Sequence, residues 1–409
     1  MPSQADPSVA LLTAGKDRHY VAGLLNALMG RGVRVECVAG NELLGSQAVV
    51  APHVVFRNFV GDQSAERTFV SKMRGLVTYY GRLCAFVLRT DARIVHILWF
   101  RRFPLVEGAL LGTFLKLTGK KVVFTAHNVD GYARDGVATS VSDLGLRYLY
   151  HLVDHILVHT TRMKNELVKR FGIERAKVTI VPLGINDVIP VSSLSRTAAK
   201  QRFGFAAEHR TLLFFGTIVK YKGIEHLVKA FSLLRREDPA LRLIIAGPVW
   251  REGEAYWQEL RALIQSLQLT SLVRAEVTSS YIADETVATF FRAADVSVLP
   301  YDNICQSGVL TLSYRQGVPV IAADVGSMPE DVVPGVTGFV FKAADPNDLA
   351  ATITEYFVSD LYRRLNAHAA AIRAFGEHHF SWSTNAVRTC AVYESLLGIS
   401  RQTPAERCV

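Results

Sequence analysis

Leu213-Phe214-Phe215-Gly216-Thr217-Ile218-Val219-Lys220-Tyr221-Lys222-Gly223 is the stretch on which the fold turns. Apolar residues crowd its start, so Thr211–Gly216 reads as a buried strand, and helical spacing resumes over Gly223–Leu234. Strand, short loop and helix in that order are half of a βαβ unit, the building block of parallel sheets. Glycines on either side of a lysine let backbone approach a phosphate, and Lys222 supplies a compact positive charge. Standing alone, the same residues would serve equally as a plain βα turn with a solvated lysine.

The same rhythm extends in both directions. Upstream, strands are expected at Val9–Ala14, Val33–Val38, His53–Phe56, Ile94–Leu98, Val122–Ala126, His155–His159 and Val178–Val181, with helices over Tyr20–Met29, Phe69–Leu88 and Arg162–Phe171. Downstream, Arg242–Ala246, Val273–Val277, Val296–Leu299, Val318–Ala322 and Gly338–Phe341 are further strands. Helical patterns fall at Gly253–Leu267, Asp284–Ala293, Ser307–Gln316 and, in the tail, Trp382–Leu397. Turn formers from Pro182 to Ser195 mark a linker. The expected fold class is therefore α/β, with two doubly wound, Rossmann-like domains facing across a cleft. Residues 1–190 and 191–378 are the domains, and 379–409 is a terminal helical segment. Ligands of such sheets bind beyond the carboxyl ends of the strands.

Composition narrows the partners. The 409 residues carry a formal charge of +9, and all of that excess lies in residues 1–190, with 24 Lys+Arg against 15 Asp+Glu. A surplus of this kind draws anionic lipids, phosphate-bearing substrates or nucleic acid, or is simply a solvated surface. The start lacks the pattern of a leader peptide. The longest apolar run, Leu105 to Leu117, contains Glu107 and Lys116 and falls short of the ~20 residues that span a bilayer. It reads as a buried helix, or as a membrane-docking one flanked by Arg101, Arg102, Lys120 and Lys121. Cys37, Cys84, Cys305, Cys390 and Cys408 are scattered without metal-ligand spacing, which suits a reduced, cytoplasmic protein.

Other segments could carry chemistry. Tyr301 to Leu310 follows a strand and leads into a helix capped by Ser307, where small residues leave amides open to an anion. The turn Gly326-Ser327-Met328-Pro329-Glu330 offers a loop carboxylate for sugar hydroxyls, or only a helix cap. His127 ends the strand Val122–Ala126 and could reach a hydroxyl or be structural. Ala14-Gly15-Lys16-Asp17-Arg18-His19 joins the first strand to the first helix at the same rim.

In this order the segments resemble the retaining glycosyltransferases of family 4, which have the GT-B fold. The matches are Val181-Pro182-Leu183-Gly184-Ile185, Gly216 with Lys222-Gly223, Ile244-Ile245-Ala246-Gly247, Ala294-Asp295-Val296 through Pro300, Gly317 through Ala322, and Gly326–Glu330 followed by Thr337-Gly338. The Phe380-Ser381-Trp382 segment looks like the family's helix that crosses back to the first domain. The resemblance implies that Lys222 binds the donor diphosphate near Gly216 and Thr217, and that backbone amides at Ser307, Gly308 and Val309 cradle its distal phosphate. It implies that Tyr281 and Ile282 border the nucleobase, that Glu330 meets the sugar, and that His127 contacts the transferred hexose. Gly15, Lys16, Asp17 and Arg18 would line the acceptor side. Two features depart from the family pattern. Thr217 stands where many members have arginine, and the segment Ile304 to Leu312 lacks the usual pair of glutamates, which a Gln-Ser-Gly-Val loop replaces; Gln306 is the candidate substitute.

The implied reaction moves a hexose from a UDP- or GDP-sugar to a hydroxyl with retained configuration and without a metal or other cofactor. The implied acceptor is a saccharide or a lipid-linked saccharide of surface polysaccharide synthesis, met by a protein peripheral to the anionic inner face of the plasma membrane, with no nucleic-acid partner. A nucleotide-sugar epimerase, a nicotinamide oxidoreductase and a non-catalytic nucleotide-sugar-binding protein are the rivals. The oxidoreductase is disfavoured because no Gly-x-Gly-x-x-Gly turn follows the first strand.

Overall fold

The computed structural model describes residues 8–61, 68–100, 104–129 and 140–399. The chain divides into two compact units. The first comprises residues up to 184 together with those from 381 onward, and the second comprises residues 185–380.

Among the described residues, the first unit is built on seven parallel strands, β1 (Ser8–Leu12), β2 (Arg34–Ala39), β3 (Val54–Asn58), β4 (Ile94–Ile97), β5 (Lys121–Thr125), β6 (His155–Val158) and β7 (Val178–Ile180), ordered 3-2-1-4-5-6-7. Val9, Ala10, Leu11 and Ile94 are wholly buried, as strands covered on both faces must be. The helices are α1 (Arg18–Met29), α2 (Phe69–Arg89), α3 (Pro104–Leu117), α4 (Ser140–Leu152) and α5 (Thr161–Phe171). The apolar run is thus α3, a partly buried helix. Leu111 and Leu115 are buried, whereas Leu110 and Leu117 are exposed. Gly112 lets α3 close on α4, since a β-carbon there would lie 2.7 Å from Leu152 Cδ2. Arg101 and Arg102 lie outside the described residues.

The second unit has six parallel strands, β8 (Arg210–Phe215), β9 (Leu241–Pro248), β10 (Val273–Thr278), β11 (Val296–Leu299), β12 (Val320–Ala323) and β13 (Gly338–Phe341), ordered 10-9-8-11-12-13. Around them pack α6 (Arg196–Arg202), α7 (Ile224–Leu234), α8 (Glu254–Ser266), α9 (Asp284–Ala293), α10 (Gly308–Arg315), α11 (Met328–Asp331), α12 (Pro346–Val358), α13 (Asp360–Arg363) and α14 (Leu365–His379). Asp295, from the Ala294-Asp295-Val296 match, is a fold residue. Its carboxylate accepts from Lys200 Nζ and from the Thr211 amide, both at 2.8 Å, and so ties β8 to α6 and β11.

The observed division falls at 184/185 and 380/381, where the sequence had suggested 190 and 378. The reason is packing. Ile185 and Ile189, inside the turn-rich linker, are buried in the second unit, and the Ile185 amide donates to Phe380 O at 2.8 Å. The chain therefore enters and leaves that unit at one place. After it, α15 (Trp382–Leu397) lies in the first unit, where Asn385 donates to Pro182 O at 2.6 Å. The Trp382 indole fills the space that β-carbons at Gly23 and Gly184 would occupy. Among the described residues, no helix is long and apolar enough to cross a membrane, and Cys37, Cys84, Cys305 and Cys390 form no disulfide.

Candidate functional site

Strand order reverses at β8 and β11 in the second unit, and a crevice at the carboxyl ends of such strands is where doubly wound sheets take ligands. The loops leaving those two strands are 216–223 and 300–307. A β-carbon built on Gly216 would stand 2.5 Å from Lys222 Nζ and 3.6 Å from Val309 Cγ2. The lysine ammonium and the first turn of α10 therefore converge on one spot above the end of β8. Lys222 is buried, and its Nζ lies 5.3 Å from the centroid of the Tyr301 ring, a cation–π contact that helps hold the charge in place.

Close backbone approach builds this spot. Gly223 has φ 57°, and a β-carbon there would collide with Pro300 O; the Asp302 amide donates to Tyr221 O at 2.9 Å. These contacts lace the two loops together. A third loop joins them, because a β-carbon on Gly326 (φ 59°) would strike Ile304 O, and the Ser327 amide donates to Cys305 O at 3.0 Å. Ser307 caps α10 by accepting from the Leu310 amide at 3.3 Å. The amides of Gly308 and Val309 sit in that first turn, where no carbonyl of the helix itself can reach them. A β-carbon built on Gly308 would meet open space. Burial pushes the Tyr301 phenol far above its usual range, and its oxygen lies beside the Ser307 hydroxyl, so a neutral donor and not a phenolate lines the site.

The other residues expected on the donor side lie on the loops and elements that follow these strands. Thr217 is half-buried in the first loop and Gln306 half-buried in the second. Glu330 is exposed on the short helix α11 and not in a loop, and it is carried by the turn that Gly326 presses against residues 304–305. Beyond β10, Ile282 packs on the core while Tyr281 is 86% exposed. Trp250, which the sequence reading passed over, meets Tyr281 edge-on with ring centroids 5.3 Å apart. The signal for it was position, since Trp250 leaves β9 next to β10.

Asp302, isolated along the chain, has company in space. His226 Nε2 donates to its Oδ1 at 2.9 Å, and Glu225, His226 and Asp302 bring ligand-type atoms within 4.8 Å of one another. A cation would have to compete with groups already there. Lys220 Nζ is 2.7 Å from Glu225, whose other oxygen accepts from Tyr256. Burial pushes Glu225 up, but these two partners outweigh it and hold its carboxyl below the usual value.

In the first unit the reversal lies between β1 and β4. Gly15 (φ 73°) and Asp17 (φ 39°) shape the loop after β1. Lys16, Asp17 and Arg18 are exposed, and Asp17 caps α1 by accepting from the Tyr20 amide at 3.1 Å. His127 is not a lone histidine. Its ring stacks on Trp99 with centroids 4.1 Å apart and planes within 4°, Tyr20 meets it edge-on, and its Nδ1 lies 3.2 Å from His159 Nε2. Burial, then the neighbouring His159 and His96, hold its pKa well below 6.5. His159 leaves β6 as His127 leaves β5, a parallel visible in the strand pattern.

Two family profiles match this chain in tandem. One described as "Glycosyltransferase Family 4" covers residues 18–188, and one described as "Glycosyl transferases group 1" covers residues 195–371. The chain is a GT-B glycosyltransferase of the family 4 type. Among curated relatives, the D-inositol 3-phosphate glycosyltransferase of Thermobispora bispora is 29% identical over 79% of this transferase and 78% of its own length. That of Actinosynnema mirum is 27% identical over 95% and 94%. Solved structures agree on the fold. Sucrose-phosphate synthase from Thermosynechococcus elongatus has a TM-score of 0.75 at 20% identity, covering 96% of the transferase and all of that chain. Anabaena HepE in complex with UDP has a TM-score of 0.73 at 16% identity, covering 95% and 100%. The transferase reading replaces the three rivals weighed from the sequence.

Proposed function

We propose that the protein moves a hexose from a nucleoside diphosphate sugar to an acceptor hydroxyl with retention of configuration. The observation that carries this reading is the convergence of Lys222 Nζ and the α10 first turn on the Gly216 spot. Negative charge grows on the diphosphate as the glycosidic bond stretches, and a fixed ammonium with fixed amides stabilises that charge without reorganising. Each such preorganised donor is worth about 3 kcal/mol. The departing phosphate oxygen takes the acceptor's proton, so no separate base is required. Trp250 and Tyr281 border the base, and Gln306 with Glu330 stands in for the paired carboxylates of other family members. The HepE complexes with UDP and UDP-glucose favour a uridine donor.

For the acceptor, the basic first half favours an anionic group. The relatives' inositol 3-phosphate and a lipid-linked pyrophosphate saccharide share that chemistry. Membrane contact through α3 alone has weaker support than the sequence suggested, because Lys116 is bound to Asp154 at 2.7 Å and Lys120 to Thr90 O at 2.8 Å. On α2, Val70, Met73 and Val77 are exposed at helical spacing, and this face supports contact with an anionic bilayer better.

The test is release of nucleoside diphosphate and glycosylated product from a panel of nucleotide sugars, with Lys222→Ala as comparison. Turnover should fall about a hundredfold in the variant. A folded Lys222→Ala protein with parental turnover would overturn the assignment.

A further inference from the structure

We propose that His159 is a positioning residue that locks His127 in the Nδ1–H tautomer, so that the buried Nε2 of His127 can accept from a hydroxyl but cannot donate. The inference rests on the proposed contact between His127 and the transferred sugar, and adds the residue that decides which partner His127 can be.

Val181 O is a carbonyl and can only accept. His159 Nδ1 lies 3.2 Å from it, so Nδ1 carries the proton. In a neutral ring the second nitrogen, Nε2, is then an acceptor. That nitrogen faces His127 Nδ1 at 3.2 Å, so His127 Nδ1 must donate and its Nε2 is left unprotonated. Both rings are neutral at physiological pH, because burial holds His159 at about 4 and keeps His127 well below 6.5. The anchor is rigid, since the Val181 amide itself donates to Val158 O at 2.8 Å across the β6–β7 pair. The plane of the His127 ring is fixed separately, by the stacked Trp99 and the edge of Tyr20. His96 on β4 and Thr125 on β5 lie deeper in the same sheet and engage each other at 2.7 Å. The relay therefore runs from the Val181 carbonyl, just beyond β7, through two imidazoles to the rim of the sheet. A hydroxyl that donates to His127 fits, whereas a carbonyl or other pure acceptor does not, and that sets a preference for sugars bearing a free hydroxyl at that position.

Nitrogen-15 NMR of the intact protein labelled at histidine tests this in the absence of any substrate. Proton-bearing nitrogen at Nδ1 and bare nitrogen at Nε2 are expected for both His127 and His159 at neutral pH. His159→Leu removes the acceptor, and His127 should then populate the other tautomer. His159→Gln places an amide oxygen near the old Nε2 and should restore the original signature. In transfer assays His159→Leu should lose about tenfold in kcat/KM, the loss of one hydrogen bond of ordinary net strength, and His159→Gln should recover it. An Nε2–H or doubly protonated His127 in the wild-type spectrum overturns the proposal, even if the leucine variant fails to fold. Because the spectrum is read on free protein, a failed relay is distinguishable from a failed transferase assignment, which the Lys222→Ala assay decides.

Discussion

Replacing Gly216 by alanine puts a methyl carbon 2.5 Å from Lys222 Nζ. Carbon and nitrogen at rest sit roughly 3.5 Å apart, so the ammonium must retreat by about 1 Å. Val309 Cγ2, at 3.6 Å from the same point, is in ordinary contact and need not move. A displacement of about 1 Å in a positioned group can cost about a hundredfold in rate. The variant is also strained, because Gly216 has φ 133°, a region alanine rarely adopts, at a cost of about 1–3 kcal/mol. The two effects separate experimentally. Urea unfolding reports the strain, while initial rates of nucleoside diphosphate release and calorimetric titration with the donor report the displaced charge. The expected result is a folded protein, measurably less stable, with turnover down about a hundredfold. A folded variant with parental turnover and donor affinity would refute the claim that the space over Gly216 is where the charge must sit.

Gly223→Ala should be worse for folding than for catalysis alone, because its β-carbon meets Pro300 O, a backbone atom that cannot swing aside; a loss beyond the ~1–3 kcal/mol of left-handed strain is expected in urea unfolding. Trp250→Ala should weaken donor binding several-fold while leaving stability near the parent's, as read by titration and thermal melting. Acid stability should depend on His96, which is buried between Tyr393 and Thr125 and held at about 3 in the fold against 6.5 in a free chain. The unfolded chain binds the extra proton between those values, so this stability is complete above pH 6.5 and drains away as pH falls toward 3, at about 1.4 kcal/mol per unit. His96→Phe should flatten that part of the pH–stability curve, and an unchanged slope would argue against it.

Among the described residues, the central strands were legible because parallel strands covered on both faces leave short apolar runs, whereas the edge strand β10 is half-exposed. The linker was harder. Ile185 and Ile189 anchor in the second unit although turn formers surround them, and local composition carries no record of what a residue will pack against. Within the site, Lys222 and Gly216 could be paired from the strand–loop–helix pattern, since both lie within one loop. Partners brought together across different strands left no such trace. His159 is separated from His127 by 32 residues, and His226 from Asp302 by 76. Strand order, not spacing along the chain, brings each pair into contact.

That distinction also bears on the missing arginine and paired glutamates. The convergence over Gly216 does not depend on them. Gly216, Gly223 and Gly326 each sit at positive φ where a β-carbon would collide with a neighbouring loop or with Lys222. Three loops thus meet by backbone contact, and the donors they expose are a lysine and peptide amides. Side chains that pair with ribose or sugar can be exchanged on such a frame at the cost of individual hydrogen bonds, each worth about 1 kcal/mol net. Loss of one of the three glycines displaces the frame itself. Introducing glutamate at Gln306 should therefore change sugar preference more than turnover, whereas alanine at any of the three glycines should lower turnover with every sugar. A Gln306→Glu protein that loses activity uniformly across the donor panel would show that this side chain, and not the backbone frame, sets the chemistry.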